Sequence, residues 1–277
     1  MCMVWSAQGR AFGLNRNLGW GIQMRPFAIL LILSLVAPAM AGCLGPSEQE
    51  AGIDLVVSFQ ATNGTLVEYY EEGEYVGQDT VVLSFDFSQT TSQRPLETFG
   101  VNRLDGSPGI TVNASEGALV EVEFTRHGLH ELALFATDGE QQVIDTITVR
   151  MESRMMWTET STNAPISMVL DTKNQAGDQP ASVLVIESTV HNPALITNIG
   201  GGQEVDVSWA LIDDTQEACQ SQPGTVEEGG SSTWNTVHFN TYEVHELRIT
   251  YEDGQDRIDV EQSISIEYER LETAPTG

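Results

Sequence analysis

The sequence predicts an all-β protein in which two tandem antiparallel β-sandwiches follow an N-terminal signal segment. From Ile53 onward apolar residues recur at period two, and no stretch sustains them at helical spacing. Asn-Gly, Asp-Gly and Pro-Gly turn signals punctuate the alternation at the rhythm of a sandwich, about seven short strands per hundred residues. A repeat adds a third observation. His130-Glu131-Leu132 followed by Asp138-Gly139 matches His245-Glu246-Leu247 followed by Asp253-Gly254, both pairs offset by 115 residues. Two related units closing on the same hairpin are expected.

Residues 1–23 read as an over-extended start, because Met24-Arg25 supplies the short basic opening of an export signal over residues 24–42. Phe27 to Val36 form its apolar run, too short to span a bilayer comfortably, and Ala37 to Gly42 its small-residue exit. Ala41-Gly42-Cys43 resembles the lipobox of prokaryotic lipoproteins, with Met40 in place of the usual leucine. That resemblance implies cleavage before Cys43, lipidation of its thiol and anchoring to the outer face of the cytoplasmic membrane. Residues 43–52 are a polar tether.

Charge changes sharply at the same point. Residues 1–42 hold three arginines and no acid, so the chain's net charge of −28 becomes −31 from Cys43 onward, nine basic residues against 40 acidic ones. Such a surface repels nucleic acid and anionic lipid, which excludes DNA- or RNA-binding roles. Lys173 is the only lysine. Acidic, lysine-poor surfaces suit high salt, where screening removes self-repulsion, so an archaeon or another prokaryote of salty surroundings is the expected source.

The first unit spans residues 53–152. Leu55, Val57 and Phe59 share one face, as do Val81, Leu83, Phe85 and Phe87, while Val120, Val122 and Phe124 alternate with Glu121 and Glu123. Leu132 and Leu134 follow, then Ile147, Val149 and Met151. The second unit spans residues 154–270. Its strands are Val183 to Val190, Val205 to Leu211, Trp234 to Phe239, Leu247 to Tyr251 and Ile264 to Tyr268, with Trp209 and Trp234 as packing anchors. Residues 271–277 are a C-terminal tail.

Two further resemblances bear on these units. Val122 to Gly139, followed by Ile144 to Val149, resembles the end of a PKD-type immunoglobulin-like domain, although His130 stands where that family carries tyrosine. Val190-His191-Asn192, Glu204 to Leu211, Gly224 to Thr233 and the turn at Tyr251 to Gly254 resemble the adhesion-related CARDB type of immunoglobulin-like domain. Both imply immunoglobulin-like sandwiches.

Candidate chemistry is sparse. His127 and His130 lack the helix and glutamate of a zinc protease, and His238 and His245 flank a turn without a third ligand nearby in sequence, so no zinc site is expected. Cys2 lies upstream of the signal and lipid takes Cys43, so Cys219 is expected as an incidental thiol in a polar loop from Asp213 to Pro223. Asp253, Asp256 and Asp259 are the calcium candidates, although the twelve-residue calcium loop is absent. No other cofactor is expected.

The Gly-x-Ser-x-Gly elbow is missing, and the acid pairs Asp213-Asp214, Glu227-Glu228 and Glu252-Asp253 read as solvated turns, so no enzyme is expected. Tyr69, Tyr70 and Tyr75 are the candidate partner-contact residues; the competing expectation is that they pack across a hairpin turning at Gly73. Asn63 and Asn113 fit the N-glycosylation pattern.

The expected function is a lipid-anchored, non-catalytic adhesion, ligand-binding or envelope-assembly module whose partner is a surface protein or glycan. An extracellular-face subunit of a membrane complex is the alternative, and an exported hydrolase using loop carboxylates the third reading.

Overall fold

The computed structural model describes residues 52–173, 176, 179–194, 203–239, 241–254 and 257–277. The expected signal segment, Cys43 and Asp256 lie outside the described residues. Those described contain no helix and seventeen strands. In the first half these are β1 (Ile53–Asp54), β2 (Asn63–Glu71), β3 (Glu74–Asp79), β4 (Val81–Asp86), β5 (Thr91–Ser92), β6 (Thr98–Asn102), β7 (Ile110–Asn113), β8 (Leu119–Phe124) and β9 (Gly128–Thr137). Next comes β10 (Gln142–Thr162), and then β11 (Met168–Asp171), β12 (Val183–His191), β13 (Val205–Ile212), β14 (Ala218–Val226), β15 (Ser231–His238), β16 (Val244–Asp253) and β17 (Ile258–Glu267). The all-β, antiparallel expectation holds, with one parallel pair, β2 on β10.

Two cores form where alternation places apolar side chains on facing sheets. In the first, Leu83 and Phe85 of β4 and Val120, Val122 and Phe124 of β8 pack against Phe99, Leu132, Leu134, Ile147, Val149 and Met151. In the second, β12, β15, β17 and the end of β10 face the four-stranded sheet β11-β16-β13-β14, around Trp209, Leu211, Leu247, Ile258 and Ile264.

Strand β10 belongs to both. Its buried apolar residues Ile147, Val149, Met151, Met155 and Trp157 all have odd numbers, so one face of one strand serves first one core and then the other. Along one edge it pairs with β9 over residues 142–151 and then with β17 over residues 153–162. Along its other edge β2 spans the junction, over residues 150–158. The expected boundary between units at residues 152–154 thus falls inside a continuous strand, and the described residues form one compact unit.

The tail is also built in. Thr273 N–H donates to the Thr148 carbonyl (2.9 Å), Thr62 Oγ1 donates to the Thr273 carbonyl (2.6 Å) and Thr276 Oγ1 donates to the Val57 carbonyl (3.0 Å). Beside them the buried Arg150 guanidinium donates through Nε and Nη2 to both oxygens of Glu272, each at 2.9 Å, and also pairs with Glu152. The bidentate bond to Arg150 is the main force holding the Glu272 carboxyl below its usual range.

Three expectations are corrected. Residues 55–59 form no regular strand; Ser58 makes only an isolated bridge to Asp86, although Phe59 is buried. The polar run from Asp213 to Pro223 is not all loop, because β14 begins at Ala218. An edge strand with one solvated face needs no apolar alternation and accepts Pro223. Finally, the repeated segments do not close alike: β9 and β10 are a hairpin, whereas β16 pairs with β11 and β13 and β17 with β10 and β12. Asp253-Gly254 therefore begins a crossing between sheets.

Candidate functional site

The tyrosine-rich segment is the hairpin β2–β3. Glu72 (φ 50°) and Gly73 (φ 82°) form its two-residue tip, and two successive positive φ values are what a tight hairpin of the right twist requires. Tyr70 and Tyr75 are cross-strand partners whose rings meet edge to face at 5.6 Å. Tyr70 also stacks on Trp157 of β10, at 5.6 Å and 26°.

This three-ring ladder starts in the second core and ends in solvent, with Trp157 5% and Tyr75 56% exposed. Polar bonds hold it. Trp157 Nε1–H donates to Glu159 (2.8 Å), whose carboxylate also accepts from the Ile166 N–H, and Tyr70 O–H donates to Glu68 (2.9 Å). Burial and then the Glu68 carboxylate push the Tyr70 hydroxyl's pKa well up, so it remains a donor. Tyr69 points to the other face and donates to Asp79 (2.7 Å). The structure thus joins two of the three contact candidates and separates the third.

A second feature is an open cleft of about 670 Å³ at one end of the second sandwich, lined by Glu204, Asp206, Glu227, Glu228 and Asp253. Of the two calcium candidates among the described residues, Asp253 lies here. Asp259 instead accepts the Ser161 N–H at 2.7 Å. Asp213, beyond the opposite end of β13, is buried, and its carboxylate is held low by the Glu217 and Thr215 N–H groups and the Thr215 hydroxyl, as an organiser of its own turn.

The third feature was not legible in the sequence. Cys219, His238 and His245 each bring one ligand-type atom to within 4.8 Å of the other two. His238 ends β15, His245 is the second residue of β16, and their rings meet edge to face at 4.7 Å. Cys219 is the extra residue of a bulge: Leu211 pairs with Gln220 and Ile212 with Ala218. Burial, and then His245, hold the His238 pKa below its ordinary value, so its ring is neutral near pH 7. Cys219 is not an incidental thiol, since it is disulfide-bonded.

His127 and His130 have structural roles. His127 Nδ1 shares a 2.7 Å hydrogen bond with the Tyr268 hydroxyl, and His130 Nε2–H donates to the Arg126 carbonyl at 2.8 Å.

No family model matches the chain, and no curated protein matches it. Several solved structures align with it, two of them as follows. A carbohydrate-binding module of the β-sandwich superfamily aligns over 76% of this chain and 95% of its own at 9% identity, with a TM-score of 0.28. A calcium-binding mutant of Bacteroides uniformis β-glucuronidase 2 aligns over 75% of this chain and 30% of its own at 8% identity, with a TM-score of 0.24. At those scores neither carries an argument about this protein.

Asn63 opens β2 and Asn113 ends β7, both exposed. The Asn113 side-chain oxygen accepts from the Ser115 N–H and hydroxyl, which fixes the amide orientation at the surface. The Cys219 cluster escaped sequence reasoning because its ligands sit on three strands and one of them lies in a bulge. The only local signal was the pair of histidines bracketing a turn.

Proposed function

We propose that this chain is a lipid-anchored extracytoplasmic protein acting as a non-catalytic binding module. It takes a glycan, or the apolar face of a surface protein, on the aromatic ladder of the β2–β3 hairpin. The observation that carries the reading is Tyr75, exposed yet held by Tyr70, which in turn rests on buried Trp157. An aromatic surface fixed before the ligand arrives loses little conformational freedom on binding, and aromatic anchors dominate binding energy in recognition surfaces. The acidic field around it disfavours anionic ligands.

Binding to a panel of purified envelope polysaccharides and surface proteins tests the ligand, with the Trp157 environment read by fluorescence. Tyr75→Ala is expected to weaken binding at least about tenfold and to leave the fold intact; unchanged affinity overturns the ladder as the contact surface. The anchor has its own test. Cys43→Ser is expected to release the protein from the membrane fraction, and a native chain with an intact mass showing no lipid on Cys43 removes that part of the reading. Cleavage before Cys43 discards Cys2, and lipidation consumes the Cys43 thiol. The anchored form therefore requires Cys219 in a state other than an intrachain disulfide, which the same mass reports. Stoichiometric partners on gentle solubilisation would favour a complex subunit, and hydrolysis lost in Asp253→Asn would favour an enzyme.

A further inference from the structure

Three strands of the second sandwich converge where the β15–β16 connection passes from one sheet to the other. The β14 bulge aims Cys219 out of the ladder's regular alternation, β15 delivers His238 in its last position, and β16 delivers His245 near its first. Cys219 is half-buried and both histidines are buried. His238 is 8% exposed, and its Nε2 is buried with no hydrogen-bond partner among the described residues. A buried ring nitrogen left in that state calls for an explanation. The Glu243 carboxylate is close enough to act electrostatically on His238, which adds negative potential beside the cluster.

We infer that Cys219, His238 and His245 form a redox-gated zinc site, shut while Cys219 is disulfide-bonded and competent once it is a thiolate. Two imidazoles and one thiolate are borderline-to-soft donors, which match Zn²⁺ and not calcium or magnesium. Donor atoms around a four-coordinate zinc stand roughly 3.3–3.8 Å apart. Three atoms lying within 4.8 Å of one another reach that by closing about 1 Å.

A dithiol reductant gives two electrons and two protons to the disulfide and becomes a disulfide itself, releasing the Cys219 thiol and its partner thiol. The Cys219 thiol then gives its proton to solvent as its sulfur binds zinc. The site does not depend on the proposed ligand surface, and setting the redox state chemically makes its test independent of the lipid anchor.

The test uses the full chain, freed of metal, either kept oxidised or reduced with a phosphine, and titrated with Co²⁺ as the probe. The reduced chain is expected to bind one Co²⁺, with a sulfur-to-cobalt charge-transfer band that stoichiometric Zn²⁺ abolishes; the oxidised chain is expected to show no such band. Cys219→Ser should remove the band, and His238→Gln and His245→Gln should each weaken binding by about tenfold or more. Should a variant fail to fold, thermal unfolding of the unaltered chain decides, because Zn²⁺ must raise the midpoint of the reduced form and not of the oxidised form. A reduced chain without stoichiometric Co²⁺, a band that survives in Cys219→Ser, or equal zinc stabilisation of both redox forms would overturn the inference.

Discussion

Strands β9 and β16 both carry His-Glu-Leu near their start and both run up to an Asp-Gly, yet they do different work. In β9, His130 is fixed by the Arg126 carbonyl and lies edge-on to Phe124, and Asp138-Gly139 turns the chain back into its hairpin partner. In β16, His245 meets His238 and Cys219, and the chain leaves Asp253-Gly254 for the other sheet. A short repeat therefore specifies a strand and a turn, while the facing sheet decides which partner that turn delivers. The first sandwich uses its histidines to close its core, and the second gathers its own at an edge.

How far the two halves behave separately can be broken by cutting each core. Phe85 is fully buried in the first and Trp209, whose Nε1–H donates to Ser188 (3.0 Å), in the second. Phe85→Ala and Trp209→Ala are each expected to cost about 3–5 kcal/mol. Because β10 runs through both cores, either substitution should lower one shared transition in urea, followed by tryptophan fluorescence and circular dichroism. Two transitions, each sensitive to one substitution alone, would mean that β10 joins the halves without coupling them.

The next effect tests the contact between the halves. His127 comes from the first and Tyr268 from the second, and burial, opposed by Asp171, takes the His127 pKa from its ordinary 6.5 down to about 4. The unfolded chain takes up this proton below about pH 6.5, and the native chain resists until about 4. Stability should therefore fall as pH drops through that window, by on the order of 3 kcal/mol. His127→Gln should flatten the slope measured by urea unfolding at stepped pH; an unchanged slope would move its origin elsewhere.

A smaller effect is expected at the tail. Glu272→Gln keeps the shape but removes the charge that Arg150 grips, and should cost about 1–3 kcal/mol in the same unfolding assay. The Glu272 carboxyl is depressed in the native state, so its contribution is present above the ordinary carboxylate range and is lost as pH falls through the lowered value. The variant should accordingly lose least, relative to the unaltered chain, in acid.

Much of this fold was legible because two-sided burial writes itself into sequence. Val120, Val122 and Phe124 alternate with acids and are all buried in β8, and Leu247 and Ile249 lie in the second core as their spacing demands. What escaped was set by tertiary partners. β14 has a largely solvated face, so nothing in Ala218 to Val226 distinguishes a strand from a loop. The boundary expected at residues 152–154 falls where Ser153 is buried and both it and Arg154 pair with β17. The tyrosine ladder was half visible: the hairpin could be read, but Trp157 beneath it belongs to another strand.

The sharpest version of the comparison needs only the repeated histidines. His130→Leu removes the donor to the Arg126 carbonyl and should cost about 1 kcal/mol, the same in either redox state and with or without zinc. His245→Leu should behave differently, because a ligand that binds only the native chain stabilises it by RT ln(1 + [L]/Kd), about 2.7 kcal/mol at a hundredfold excess over Kd. The gap between unaltered chain and variant should therefore widen when zinc is added to the reduced protein, and stay constant in the oxidised one. Equal responses of the two variants to zinc would make the repeated histidines the same structural residue in two places, and the difference between the halves one of connectivity alone.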